Sequence, residues 1–288
     1  MLRMNEIRKV QQLHAPQPTS DGAGVKINRI IATRELDYLD PFLLLDHFGS
    51  DNPNDYIAGF PLHPHRGIET VTYMLKGSVT HRDSMGNEGT IHTGDIQWMT
   101  AGGGIMHEEM PHASADGMAG FQLWVNLPAK LKMTKPRYQE VAAKNIPVVE
   151  KDGAKILVIA GEVEGVAGAV SEIYAEPSYL DVALDAQASF THAIPRGHTA
   201  FAYLFAGSAT FDDSSDTIAS PMLVVLADGD IVQIKAGDET ARFILVSGKP
   251  LHESVARYGP FVMNTREEIE QALRDLQRGT FVWTEGKE

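Results

Sequence analysis

The octapeptide Tyr73-Met74-Leu75-Lys76-Gly77-Ser78-Val79-Thr80 recurs further along the chain as Tyr203-Leu204-Phe205-Ala206-Gly207-Ser208-Ala209-Thr210, with Tyr, Gly, Ser and Thr in register. Gly94-Asp95-Ile96 recurs in the same order as Gly229-Asp230-Ile231. Each copy therefore runs strand, Gly turn, strand and Gly-Asp turn, the punctuation of short antiparallel strands closing into a barrel. A chain of 288 residues is long for one such barrel and sufficient for two of about 120 to 150 residues, each burying its own core. The expected fold is all-β, with antiparallel β-barrel domains at 1–130 and 131–288 and a short helix closing the second. The boundary lies beside 128–137, which follows the apolar strand 121–127 and carries prolines with Lys130, Lys132, Lys135 and Arg137. Together with Lys144 this is the densest basic stretch, read as a solvated connection.

The first copy carries chemistry. His63-Pro64-His65 and His107-Glu108-Glu109 each place two potential ligands at i and i+2. On a β-strand, residues two apart share a face, so two antiparallel strands can bring four side chains to one cation. Three neutral imidazoles and a carboxylate suit Fe(II), Ni(II), Cu(II), Mn(II) or Zn(II), and an octahedral ion held by four ligands keeps two positions for water, dioxygen or substrate. A lone His-x-His on an exposed strand usually means nothing. Here His65 is followed by Arg66-Gly67 and the alternating strand Glu69-Thr70-Val71-Thr72-Tyr73-Met74-Leu75, and the second pair follows Ala101-Gly102-Gly103-Gly104, where the backbone can turn sharply.

In outline this is the two-motif layout of cupins. The stretches Glu35-Leu36-Asp37-Tyr38-Leu39-Asp40-Pro41-Phe42-Leu43-Leu44-Leu45-Asp46-His47-Phe48-Gly49, His63-Pro64-His65-Arg66-Gly67-Ile68-Glu69-Thr70-Val71, Gly94-Asp95-Ile96-Gln97-Trp98-Met99-Thr100-Ala101-Gly102, Gly104-Ile105-Met106-His107-Glu108-Glu109-Met110-Pro111 and Tyr258-Gly259-Pro260-Phe261-Val262-Met263-Asn264-Thr265 closely resemble the pirin family. The resemblance spans nearly the whole chain. It implies a bicupin, two double-stranded β-helix (jelly-roll) barrels with one mononuclear iron in the first, and it carries the family's ligands onto His63, His65, His107 and Glu109. Gly59 stands nearer to His63 than general cupin patterns ask, and Thr100-Ala101 replaces their usual Pro; the pirin pattern shares both departures.

Composition excludes other classes. There is no cysteine, which removes disulfides, thiolate nucleophiles, iron–sulfur clusters and blue copper, so any metal is held by nitrogen and oxygen. A formal charge of −13 argues against direct nucleic-acid binding. No apolar run approaches the roughly 18 residues that span a bilayer, and the first residues lack an apolar targeting core, so no membrane partner and a cytoplasmic location are expected.

In the second copy, the positions equivalent to the four ligands hold Ala193, Pro195, Arg242 and Ile244, and that barrel is expected to be metal-free. Near the C-terminus, Thr265-Arg266-Glu267-Glu268 is a capping box, Ile269, Ala272, Leu273 and Leu276 form an apolar stripe, and Gly279 is the stop of a docking helix. Glu69, with the strand parity of His63 and His65, is a ligand in many cupins, but a fifth ligand would close one open position; it is expected either as that ligand or, by preference, beside the ligands, holding one of them or Arg66. His81, His92 and His112 read as surface or turn residues, His112 alone being close enough to Glu109 to line the cavity. Trp98, Phe48 and Met106 read as core, and His47 as bordering the pocket mouth.

Two functions follow from the resemblance. One is an Fe(II)-dependent quercetin 2,3-dioxygenase, opening a flavonol ring with dioxygen, with Glu109 as the base that takes the 3-hydroxyl proton. The alternative is a non-enzymatic metal- or redox-sensing regulator that binds a protein partner. One ligand set serves either.

Overall fold

The structure, a computed structural model, describes residues 5–212 and 216–285. Two compact units are present: the described parts of Gln17–Ala143 and Leu251–Glu288 form one, and those of Met1–Pro16 and Lys144–Pro250 form the other. Each pairs a seven-stranded with a four-stranded antiparallel sheet. Among the described residues no helix is long and apolar enough to cross a membrane.

In the first unit the seven-stranded sheet runs, edge to edge, Arg137–Val141, Ile96–Thr100, Ile68–Lys76, Met118–Asn126, Phe42–Ser50, Val25–Ile31 and Gln17–Asp21. The four-stranded sheet is ordered Phe60–His65, Ile105–Pro111, Ser78–Asp83 and Glu88–His92. Strand Ile68–Lys76 has neighbours on both edges and is buried from Ile68 to Met74 although it alternates with Thr and Glu. Its polar residues therefore need internal partners, which the site supplies.

The second unit repeats the plan. Strands Thr199–Ala206 and Ser208–Phe211, the second copy of the repeat, sit in its seven- and four-stranded sheets as Ile68–Lys76 and Ser78–Asp83 do in the first. Its interior packs Leu180, Val182, Phe190, Phe211, Val224, Phe243 and Leu245 among other apolar side chains. Burying each of these large side chains stabilises the fold by about 1.5–3 kcal/mol relative to exposure. Of the ligand-equivalent positions, Ile244 is buried and Arg242 forks onto Asp181 at 3.1 and 2.6 Å.

The units do not follow the division at 130/131. Strand Arg137–Val141 pairs with Ile96–Thr100, so the chain beyond 130 continues the first barrel's sheet. The described residues from 251 onward, assigned by the sequence division to the second domain, also belong to the first unit. Among the contacts that hold them there, Val262 donates its N–H to the Arg66 carbonyl at 3.1 Å, and the Arg66 guanidinium reaches Asp275 at 2.8 Å and the Phe281 carbonyl at 3.0 Å.

The C-terminal helix spans Arg266–Gln277, capped by Thr265 with the reciprocal Glu268 bond in place. Ile269 and Ala272 are buried against Phe261, Met263 and Phe281, with Leu273 half-buried beside them. Leu276 departs from the expected stripe and is 37% exposed, because Phe281 from beyond the helix completes the cluster. The basic stretch also departs from expectation: Lys132 is buried, its ammonium donating to the carbonyls of Gly67 and Val262 at 2.8 Å and to Asn126 Oδ1.

Candidate metal centre

Strands Phe60–His65 and Ile105–Pro111 pair antiparallel, with His107 opposite His63 and Ile105 opposite His65. The shared parity brings three imidazoles together, with ring centroids 4.3 to 5.0 Å apart. One nitrogen from each of His63, His65 and His107 lies within 4.8 Å of the others. The second nitrogens settle which one points inward. Nδ1 of His63 donates to the Pro61 carbonyl at 2.9 Å, Nδ1 of His65 to the Pro260 carbonyl at 3.2 Å, and Nδ1 of His107 faces His81 Nδ1 at 3.4 Å.

This arrangement fits a cation. With Nδ1 protonated, the Nε2 atoms of His63 and His65 carry lone pairs, yet they face each other at 3.1 Å. Lone pairs so placed repel unless a positive centre stands between them, and two nitrogens bound at right angles at about 2.1 Å stand about 3 Å apart. His107 Nε2 is buried without a hydrogen-bond partner. A buried imidazole nitrogen left bare is costly unless it has a ligand to serve. Burial, reinforced by the neighbouring His63, pulls His65 down to about 3 against the Pro260 hydrogen bond. Burial and the other three histidines hold His107 well below the ordinary imidazole range. Both are therefore neutral near pH 7, as ligation requires.

Glu109 stands apart from the three nitrogens. It is 7% exposed and lines a cavity of about 540 Å³ together with His63, His65 and Thr72, but its carboxylate is outside the group within 4.8 Å. Thr72 Oγ1 donates to Glu109 Oε1 at 3.0 Å and also lies 2.8 Å from Gln122 Oε1. One hydroxyl proton serves one acceptor, so a Gln122 amide turned over to present its NH2 satisfies all three groups. Leu44, Phe48, Phe60, Val79, Met118 and Trp124 supply apolar wall, and Arg257 lies at 5.2 Å over the Trp124 ring.

Glu69 does not join the site. The parity counted from His65 breaks at Gly67, whose φ of +82° turns the chain from the four-stranded into the seven-stranded sheet. Thr72 faces the cavity, so Glu69, three residues earlier, takes the opposite face, fully buried and accepting from Thr100 Oγ1 at 2.7 Å. A side chain at Gly67 would overlap the Val262 carbonyl oxygen.

Of the remaining candidates, Trp98 is core as expected, while Phe48 is buried and also forms cavity wall. Met106 is half-buried against the helix cluster. Asp46 and Phe48 line the cavity, so His47 between them faces away; its ring packs on Phe121 at 4.8 Å, and burial lowers it to about 4. His92 and His112 are exposed, and His112 binds the Thr80 hydroxyl at 2.7 Å outside the cavity. His81, expected at the surface, is fully buried against His107. A signal for it existed in its alternation with Val79 and Asp83 on one strand. Pro260 meets the site through its contact with His65, 195 residues away in sequence.

Two cupin barrels in one chain, with a buried histidine cluster in the first, define a bicupin. The Pirin family model matches residues 24–125 and the Pirin C-terminal cupin domain matches 179–282, so the chain belongs to the pirin family. It is 46% identical over 282 residues to a Pseudomonas aeruginosa protein named "Putative quercetin 2,3-dioxygenase", covering 96% of this chain and 99% of that one. It is 43% identical over 280 residues to human pirin, covering 95% and 94%. A crystal structure of quercetin 2,3-dioxygenase from Acinetobacter baumannii superposes with a TM-score of 0.86 at 36% identity, covering 96% of this chain and 98% of that one.

Proposed function

We propose that the chain is a mononuclear non-haem iron dioxygenase of the quercetin 2,3-dioxygenase type, opening a flavonol ring with dioxygen and releasing carbon monoxide. The observation that carries this reading is the convergence of three imidazole nitrogens, with His63 and His65 on the wall of a cavity of about 540 Å³ that Glu109 also lines. That volume falls in the range of about 300 to 1,000 Å³ typical of small-molecule sites. The relatives named for this activity support it. His63, His65 and His107 would hold the iron, with Glu109 as the fourth ligand. Bound there, Fe(II) would supply Lewis acidity toward the flavonol oxygens and a redox partner for dioxygen.

The chain's own residues do the rest. Phe48, Phe60, Val79 and Trp124 offer apolar faces to planar rings and exclude water. Glu109 takes the proton of the substrate's 3-hydroxyl, and the Thr72 hydroxyl holds its carboxylate while it waits. Removing that proton puts electron density into the ring that dioxygen attacks.

The test is dioxygen uptake with quercetin by anaerobically prepared protein, with iron content measured on the same sample. Uptake well above that of the same concentration of free Fe(II) supports the enzyme. Uptake no faster than free Fe(II) removes it and leaves the regulatory reading, in which a protein partner responds to the metal.

A further inference from the structure

We infer that His81 and Asp83 form a hydrogen-bonded relay that sets the tautomer of His107 and aims its Nε2 at the metal position, so that they are positioning residues for the centre. The inference rests on reading the histidine cluster as a metal site.

Strand Ser78–Asp83 pairs with Ile105–Pro111 so that Asp83 lies opposite His107 and His81 opposite Glu109. His81 is fully buried, its ring 5.2 Å from that of His107 and 5.0 Å from that of Tyr138. An imidazole sealed away from water needs a partner at each nitrogen. His81 Nδ1 has His107 Nδ1 at 3.4 Å, and His81 Nε2 has Asp83 Oδ2 at 3.4 Å. Both links are long, so they orient the rings more than they bind them.

The direction of the protons follows from the far end. The Asp83 side chain is fully buried, and donors from its own turn surround it: the N–H groups of Met85 at 2.8 Å and Asn87 at 3.0 Å on Oδ1, and Asn87 Nδ2 at 2.8 Å on Oδ2. It is held as an acceptor, so His81 carries its proton on Nε2. With that single proton on the ring, His81 Nδ1 is a lone pair, His107 Nδ1 carries the other proton, and His107 Nε2 is left as a lone pair. That atom is the buried nitrogen without a partner. His63 and His65 are oriented by backbone carbonyls, whereas His107 is backed by a side-chain relay ending in a carboxylate. A carboxylate behind a ligating imidazole raises its basicity, and losing such a partner typically weakens metal binding about 10- to 100-fold.

Two arms test the relay. The first uses the native chain with 15N-labelled histidine, metal-free and loaded with Zn(II), and reads ring tautomers by long-range NMR correlations. Neutral His81 with its proton on Nε2, and metal-free His107 with its proton on Nδ1, are expected; the opposite tautomer at either ring overturns the relay. The second measures Zn(II) affinity against a chelator for Asp83→Asn, whose amide offers a donor toward His81 Nε2–H, for His81→Phe, and for the double variant. Each single variant should bind about 10- to 100-fold more weakly. The double variant should bind no more weakly than His81→Phe, because the two act in series. Affinities within twofold of the parent overturn the inference. If Asp83→Asn fails to fold, the tautomers of the native chain decide alone. If the native chain binds no Zn(II) at all, the metal reading fails, while the metal-free tautomers still decide the relay.

Discussion

The hydroxyl of Thr72 donates to Glu109 Oε1 at 3.0 Å, a bond from the seven-stranded to the four-stranded sheet of the first barrel. Glu109 lines the cavity, and its carboxylate lies outside the group formed by the three imidazole nitrogens. If Glu109 acts as a base as well as a ligand, Glu109→Gln should lower flavonol turnover by about 10²- to 10⁴-fold, the usual contribution of a general base. Iron content, measured on the same samples, should fall far less. Turnover that merely tracks iron occupancy would assign Glu109 to metal binding alone.

Elemental analysis should find one tightly bound metal per chain. The expectation comes from the three converging nitrogens in the first barrel and from Arg242 and Ile244, bound to Asp181 and buried in core, in the second. His63→Ala combined with His107→Ala should abolish binding. Two metals per chain, or one retained by the double variant, would contradict the assignment.

Acid should weaken both the fold and its metal affinity. His65 titrates at about 3 in the folded chain, and burial holds His107 low as well, against about 6.5 for a free imidazole. The unfolded chain therefore binds protons that the folded chain refuses between about pH 6.5 and pH 3. That stability is fully present above about pH 6.5 and is lost progressively as pH falls through the window. Melting of the metal-free chain should drop on going from about pH 7.5 to about pH 5.5, and His65→Phe should flatten the slope. Added metal should raise the melting temperature at the higher pH and do so less at the lower, since protons compete for the same nitrogens. Curves that ignore metal at both pH values would rule this out.

Lys132→Met should destabilise the first barrel. Burial lowers this lysine to about 7, against the attraction of Glu253 and Glu268. Its ammonium serves Gly67, Asn126 and Val262, and removing it leaves three buried oxygens short of a donor. A loss of about 2 to 5 kcal/mol is expected, the scale of breaking a buried charged hydrogen-bond cluster. Urea unfolding reads it directly; an unchanged midpoint would leave Lys132 without a structural role.

The repeat and the two histidine pairs were readable because strand parity is local: alternation along one strand decides which side chains share a face. In the structure His63, His65 and His107 come together as that alternation suggests, whereas the Glu109 carboxylate stands outside their group. The same logic failed at Glu69, because Gly67 moves the chain to another sheet and parity does not survive the turn. It also missed His81, whose partner His107 comes from the neighbouring strand's register, a relation fixed by pairing and invisible in spacing. Lys132 and Pro260 were hidden for a similar reason: a basic run beside prolines looks solvated until the acceptors at 67, 126 and 262 are folded around it.

Pro260, whose carbonyl holds His65, is made by the ribosome after every strand of both seven-stranded and both four-stranded sheets. All three histidines leave the exit tunnel long before it does. A chain cut short before residue 260 carries all three imidazoles but lacks the carbonyl that His65 Nδ1 meets in the full chain. The orientation of His65 is thus completed only once translation has passed that point, by a residue made 195 positions after the ring it holds.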